Sequence, residues 1–326
     1  VKILLTGGTG FIGRNLAVKL SQKGYTVRCL VRDIGRAAWM ENYAGLQPVK
    51  ADLEHKRSIF SHLTDIEAVL HLAGATKAKN KDDYFRINGV ATANLLDAVL
   101  MQGTTVKKVL YVSSLAVAGP HTSQQPALEN EPAAPITYYG ESKLLGEHLL
   151  RQKCKGISWT IIRPAAVYGP FDKDVFLFFK LAHSGIVPVL GDARMELSMI
   201  HVDDVTEGII LAAFAEESEG EIYYLSDGRV HYLENILKLL KEITGGGKVI
   251  RVPPIVGRIA GFIGDCSAYI SGKPQVINSQ KVKEALQKGW VCNTKKIGGQ
   301  LGFTPAVQLE AGFEATYNWY KTAGWL

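Results

Sequence analysis

Short runs rich in Val, Ile and Leu alternate with stretches of helical period through the first half of the chain, the pattern of a parallel sheet covered by helices. Lys2–Thr6, Thr26–Val31, Gln47–Lys50, Ala68–Leu72, Val109–Val112 and Trp159–Arg163 predict six strands. Between them, Phe11–Gln22, His55–Leu63, Tyr84–Met101 and Tyr138–Arg151 carry Leu, Ile or Val at steps of three and four, which predicts helices with one apolar face. Six strands with intervening helices predict an α/β fold built on a doubly wound parallel sheet.

The regularity breaks after Arg163. "RPAAVYGPFDKD" reads as a turn-rich loop, "GDARMELSMIHVDDV" returns to a strand-like run, and Asp203–Ala215 reads as a helix. From Tyr232 onward, "TGGGK", "RVPP", "SGKP" and "LGFTP" separate short helices, a composition suited to a small C-terminal cap over the carboxyl edge of the sheet. The expected division is 1–163 with 197–225 as a dinucleotide-binding domain and 164–196 with 226–326 as a substrate-binding domain. There is no internal repeat and no low-complexity tail.

At 326 residues and 47% hydrophobic content the chain can bury a sizeable core. Its net charge of +6 is dispersed, without a run of five basic residues, which argues against nucleic acid and is compatible with an anionic small molecule. Cys29, Cys154, Cys266 and Cys292 lie far apart with no metal-ligand spacing, as expected of a reduced, cytoplasmic setting. The chain opens on the apolar run Val1–Leu5, and no secretion signal is expected. "PPIVGRIAGFIGDCSAYI", residues 253–270, is broken by Arg258, Asp265, Gly and Pro and does not read as a membrane span; a buried or pocket-lining helix is expected, with interfacial contact as the alternative.

"ILLTGGTGFIG" places Gly7, Gly10 and Gly13 directly after the first strand and at the start of the first helix. Such a turn lets backbone N–H groups and the helix N-terminus face a pyrophosphate, and Gly13 removes a side chain where helix and sheet pack closely. A bound dinucleotide is expected. At the end of the second strand, "TVRCLVRD" offers Arg32 where an NAD site needs a carboxylate for the ribose 2′-hydroxyl. Arg32, with Arg36 or Arg28 as a second contact, suits a 2′-phosphate, so NADP is preferred to NAD, although Asp33 leaves the alternative standing. Asp52, Leu53, Leu72, Ala73 and Gly74 fall at carboxyl ends of strands, where the adenine would lie; Asp52 also reads as a helix N-cap.

"VLYVSSLAVAGP" ends the fifth strand on Ser113 and Ser114. In "ITYYGESKLLGE", Tyr139 and Lys143 share one helix face, whereas Tyr138 does not. A tyrosine titrating near ~10 is a poor base at neutral pH, and a neighbouring ammonium is expected to lower it. The lysine can also donate to a nicotinamide ribose, and a serine can hold the substrate oxygen beside the phenol.

Together, "TGGTGFIG", "SSLAVAG", "YYGESK", "RPAAVYGP" and "IHVDDV" resemble the extended short-chain dehydrogenase/reductase superfamily, or epimerase/dehydratase family, over nearly the whole chain. The resemblance implies a Rossmann domain with a small substrate domain, Tyr139 as general acid/base, Lys143 as its partner and Ser114, five before Gly119, as the substrate-positioning hydroxyl. It adds Phe11, Ile12, Pro164 and Val167 to the cofactor contacts, gives Asn88 a supporting role, and implies a homodimer formed through the helix after the fourth strand and the Tyr139 helix.

Sugar-nucleotide members carry an asparagine ahead of V-Y-G-P and an arginine before the strand preceding H-V-D-D; here Ala166 and "MELS" stand there, with Arg194 nearby. A diphosphate would then lack a donor. "GYTVRCLVRD" is similar to a run in NADP-dependent dihydroflavonol reductases, and the 253–270 segment is apolar. An NADP(H)-dependent alcohol/carbonyl oxidoreductase of a hydrophobic or small substrate is expected, of the dihydroflavonol reductase or 3β-hydroxysteroid dehydrogenase type. The alternatives are a sugar-nucleotide epimerase or dehydratase with retained NAD, and a cofactor-binding scaffold without turnover. No metal site is expected: "HVDD", His201 to Asp204, reads as a strand end with Asp203 or Asp204 capping a helix. Tyr168 and His121 are candidates for the crevice.

Overall fold

The computed structural model describes residues 1–101 and 103–326. Six strands form where the apolar runs predict them: β1 (Lys2–Thr6), β2 (Thr26–Val31), β3 (Leu46–Lys50), β4 (Ala68–His71), β5 (Lys108–Val112) and β6 (Ser158–Pro164). A seventh, Glu221–Leu225, joins them and was not among the predicted strands. It follows the acidic stretch Glu216–Glu219 and carries two tyrosines in place of a Val, Ile or Leu run, yet Tyr223, Tyr224 and Leu225 are all buried.

All seven strands run parallel, in the order β3-β2-β1-β4-β5-β6-outer strand. The order reverses between β1 and β4, the crevice where doubly wound sheets bind ligands at the carboxyl ends of their strands. Both faces are covered. Ile3, Leu5 and Leu70 pack on one side with Leu16, Leu20 and Ile209, while Leu4, Val69 and Val109 pack on the other with Leu95, Leu96 and Leu150. Burial on both faces explains why the strands read as continuous apolar runs rather than alternating ones.

The helices follow the periodic stretches with two adjustments. Lys56–Phe60 is shorter than its apolar pattern and begins after His55, so Asp52 is not its N-cap; the Asp52 carboxylate instead accepts from the Glu54 N–H at 3.0 Å. The helix expected over Tyr84–Met101 runs as Lys81–Phe85 and Ala91–Val99, joined by a single π-turn, Arg86–Val90. Such turns re-aim side chains and often sit at functional sites; this one carries Asn88.

Beyond β6, smaller pieces pack around Tyr168, Phe179, Leu237, Phe313 and Tyr320. Ala166–Tyr168 pairs with Met199–His201, and Ile186–Leu190 pairs with Lys248–Val252. The helix Pro254–Ser271, expected to be buried or pocket-lining, lines a pocket through Arg258 and Phe262 but is not buried. Gly257, Gly261 and Ala268 are buried, but Ile255, Ile259, Phe262, Ile263, Tyr269 and Ile270 are exposed.

Candidate active site

The turn after β1 is shaped by two close approaches. Gly7 has φ +76°, and a Cβ there would come within 2.7 Å of the Ala73 nitrogen; a Cβ on Gly13 would overlap the Gly7 carbonyl. The loops after β1 and β4 therefore meet backbone to backbone at the switch point. The first helix, Phe11–Gln22, begins from Gly10 with no side-chain cap, leaving first-turn N–H groups available to an anion. A crevice of about 680 Å³ opens there, lined by Gly7, Gly10, Phe11, Ile12 and Gly13 from the turn and Leu72 and Gly74 from the β4 loop. A side-chain-free cradle at an uncapped helix start fits a dinucleotide pyrophosphate.

Ala73 abuts Gly7 from beneath and donates its N–H to the Thr6 hydroxyl at 3.1 Å. Arg32, Asp52, Leu53, Pro164 and Val167 stand outside the lining of this crevice. Arg32 is exposed, and Asp33 is occupied in a turn, its carboxylate accepting from the Gly35 N–H at 2.9 Å. Arg36 does line the crevice.

Sequence reasoning missed the aromatic wall. Arg14 lies between the rings of Trp39 and Phe171, at 4.4 and 4.0 Å from their centroids, and all three line the crevice with Asp172 and Trp325. Arg14 directly follows the glycine motif, a signal that was available. Phe171, at φ +73°, and Trp325 are brought in only by the tertiary fold.

Ser114, Tyr139 and Lys143 also stand outside the lining of this crevice; the link to it is Gly74, where an added Cβ would lie 3.6 Å from Lys143 Nζ. Thr137 caps the helix Tyr138–Lys153 by accepting from the Gly140 N–H at 3.2 Å. This fixes Tyr139 in the first turn and Lys143 one turn later. The Ser114 hydroxyl, just beyond β5, accepts from the Ala116 N–H at 3.1 Å and is a neighbour that acts on the Tyr139 phenol, whereas the Ser113 hydroxyl is buried and unpartnered.

The electrostatics differ from expectation. Burial pushes the Tyr139 phenol up, opposed by the neighbouring Ser114 hydroxyl and by the Lys281 ammonium of the helix Ser279–Ala285. Lys281 is the foremost cation acting on it. Lys143 Nζ sits 4.2 Å over the Tyr111 ring and close beneath Gly74, and burial lowers the Lys143 pKa to about 7 against the opposing Glu147 carboxylate. Desolvation outweighs every neighbouring charge at both groups.

Two buried networks hold this arrangement. The Asn88 amide accepts from the Ala75 N–H at 2.7 Å and donates to Ala75 O at 3.1 Å and Ser142 Oγ at 2.9 Å; Ser142 in turn donates to Tyr139 O at 2.8 Å. Thr92 donates to Asn88 O, so its oxygen accepts from His71 Nε2–H at 2.8 Å, and His71 Nδ1 accepts from the Thr6 hydroxyl at 2.7 Å. That assignment requires a neutral imidazole, in keeping with a His71 pKa driven down to about 3 by burial. Below Lys143, Arg163 donates to both Glu147 oxygens at 2.9 and 2.7 Å and to the Tyr224 hydroxyl at 2.9 Å.

Residues 3–226 match the model of the NAD dependent epimerase/dehydratase family. The chain belongs to this family. It is a nicotinamide-dependent enzyme of the extended short-chain dehydrogenase/reductase type, which transfers hydride between nicotinamide and a hydroxyl or carbonyl carbon. Among its relatives, it is 30% identical to a ceramide reductase of Caulobacter vibrioides, over 99% of this chain and 96% of that one. It is 27% identical to a 4-hydroxy-2-methyl-3-oxo-4-farnesyl-3,4-dihydroquinoline-1-oxide ketoreductase of Stigmatella aurantiaca, over 88% and 91%. A crystal structure of a dTDP-glucose 4,6-dehydratase from Streptomyces venezuelae with NAD bound superposes at a TM-score of 0.83, with 23% identity over 100% and 98% of the two chains, a likeness of fold.

Within this family member, several sequence candidates fall away from the crevice. Tyr168 is buried edge-on against His201 and Phe313, in the core rather than at a substrate surface. His121 is tied into a local turn, its Nδ1 3.0 Å from Gln125 O. His201, not Asp203 or Asp204, caps the helix Val202–Phe214, accepting from the Asp203 N–H at 3.3 Å. Asp204 accepts instead from the N–H groups of Ala306 and Val307. Tyr138 turns toward Lys81 and, through its N–H, Gln280 Oε1 at 2.9 Å. Arg194 has a side chain 79% exposed, near Asp192.

Proposed function

We propose that this enzyme is an NADP(H)-dependent ketone reductase acting on a lipophilic substrate. The observation that carries the reading is the placement of Tyr139 and Lys143 one turn apart on the capped helix, with Lys143 Nζ close beneath Gly74 of the crevice wall and burial favouring the neutral, proton-bearing Tyr139 phenol. A protonated phenol is suited to give a proton to a substrate oxygen, the direction that reduction requires. Ser114 orients that oxygen, and Lys143, which makes no side-chain hydrogen bond among the described residues, offers donors to the nicotinamide ribose. When bound, the nicotinamide supplies the hydride.

NADP is favoured by Arg14 and Arg36 in the crevice wall, two guanidinium groups suited to a 2′-phosphate. A lipophilic substrate is favoured by Ala166 in the place of a diphosphate-binding asparagine and by the outward course of Arg194. The reductase names of the Caulobacter and Stigmatella relatives point the same way. On this reading 1–163 with 197–225 form the cofactor domain and 164–196 with 226–326 the substrate domain. The enzyme is a cytoplasmic homodimer joined through the Ala91–Val99 and Tyr138–Lys153 helices; Val90, Leu100 and Met101, flanking the first of these, are exposed.

The test is NADPH and NADH oxidation by the purified protein with long-chain and polycyclic ketones, alongside thermal shifts with UDP and dTDP sugars. NADPH-dependent turnover without a sugar-nucleotide shift is expected. Retained NAD(H) together with stabilisation by a sugar nucleotide would establish the epimerase or dehydratase alternative instead.

A further inference from the structure

The helix Pro254–Ser271 has two opposite stripes. Gly257, Gly261, Gly264 and Ala268 recur at steps of three and four and press against the protein: Gly257 on Leu190, Gly261 and Gly264 on the 277–282 segment. On the other side, Ile255, Ile259, Phe262, Ile263, Cys266 and Ile270 recur at the same steps, and the five apolar side chains among them are 54–86% exposed. Val276 and Ile277, at 51% and 57%, extend the exposed apolar surface into the following loop. Isolated surface hydrophobics are ordinary, but a contiguous stripe along 18 residues marks an interaction face.

Charge selects the partner. From Gly245 to Glu284 the chain carries six Lys or Arg and two acids, Asp265 and Glu284, so this stretch holds +4 of the chain's net +6, and Glu284 is paired with Lys281 at 2.8 Å. Asp265 is turned inward, accepting from the Ser279 N–H at 3.3 Å. Lys248, Arg251, Arg258, Lys273 and Lys283 are exposed. An apolar stripe rimmed by cations is the combination that lies in the plane of an anionic lipid surface, with Arg and Lys reaching the headgroups. No helix among the described residues is long and apolar enough to cross a membrane.

We propose that the Pro254–Ser271 helix docks this enzyme on the surface of an anionic bilayer. The docked helix stands one layer from the reacting groups: it packs on Ser279–Ala285, where Gln280 receives the Tyr138 N–H and Lys281 faces Tyr139. Access of a bilayer-resident ketone to Tyr139 is the functional consequence, and that clause alone rests on the reductase reading; vesicle binding does not, so the two can fail separately.

The test uses the full chain with phosphatidylcholine vesicles containing phosphatidylglycerol, and with phosphatidylcholine alone. Co-sedimentation with the anionic vesicles at low salt is expected, reduced about tenfold by Phe262→Asp with Ile263→Asp and strongly by high salt. The second readout leaves the sequence intact. Cys266 is the exposed cysteine and Cys29, Cys154 and Cys292 are buried, so an environment-sensitive thiol dye reports from the stripe itself and should shift to the blue on anionic vesicles. Absence of vesicle binding at low salt, or binding with no spectral shift at Cys266, overturns the proposal. So does light scattering that finds an assembly split by the double substitution, because the face then belongs to a second copy of the chain.

Discussion

In β1, Ile3, Leu4 and Leu5 have no solvent exposure, whereas in the Pro254–Ser271 helix Ile255, Ile259, Phe262 and Ile263 each keep more than half of theirs. The residue types are the same. What differs is the surroundings: β1 lies between two strands with helices on both faces, while the helix offers its glycine stripe to the protein and its large side chains to the outside. Apolar content therefore reports that a segment seeks a non-aqueous partner, not whether that partner is the chain itself.

The comparison can be broken by substitution, and the largest effect belongs to the buried charges near the sheet. Glu147→Gln leaves Arg163 with an uncompensated charge in the core and is expected to cost about 3–5 kcal/mol in urea denaturation. Leu5→Ala should cost about 2–5 kcal/mol by leaving a cavity between sheet and helix. Lys143→Met should move stability the other way while removing activity. The folded pKa of Lys143 is lowered to about 7 against ~10.4 for a free lysine, so between those values the unfolded chain binds more protons and stability rises with pH. The methionine variant should thus gain on the order of a few kcal/mol near pH 6, and the gain should vanish toward pH 10. A pH-independent difference in thermal melting would count against a buried ammonium. Phe262→Ser, on the exposed stripe, should alter stability by no more than about 0.5 kcal/mol; a loss of 2 kcal/mol or more would mean that this helix is part of a core after all.

The sheet and its motifs were legible because the inner strands β1, β2, β4, β5 and β6 are apolar runs bounded by turns, which makes their signal local. Ser114, Tyr139 and Lys143 were legible by order and spacing, and the crevice gathers five of the turn residues named from sequence with Leu72 and Gly74. What escaped depends on contacts between distant segments. Phe171 and Trp325 reach the crevice only through the packing of the last helix, and the Glu221–Leu225 strand is recognisable only as the partner of β6. The Tyr139 phenol is raised rather than lowered for a related reason: helical spacing places Lys143 on the same face, but burial, and with it the direction of the lysine stem toward Tyr111 and Gly74, is set by the tertiary surroundings. The 253–270 segment lines a pocket but is not buried, because its period cannot say which stripe faces inward; the glycines, not the isoleucines, pack on the protein.

The central claim is that Tyr139 gives the proton that accompanies hydride transfer to a ketone. Steady-state NADPH oxidation with a lipophilic ketone, compared between the natural enzyme and Tyr139→Phe, addresses it most directly. A fall of about 10²–10⁴-fold in kcat with unchanged NADPH affinity is expected. Turnover by Tyr139→Phe within a few-fold of the natural enzyme would contradict the account.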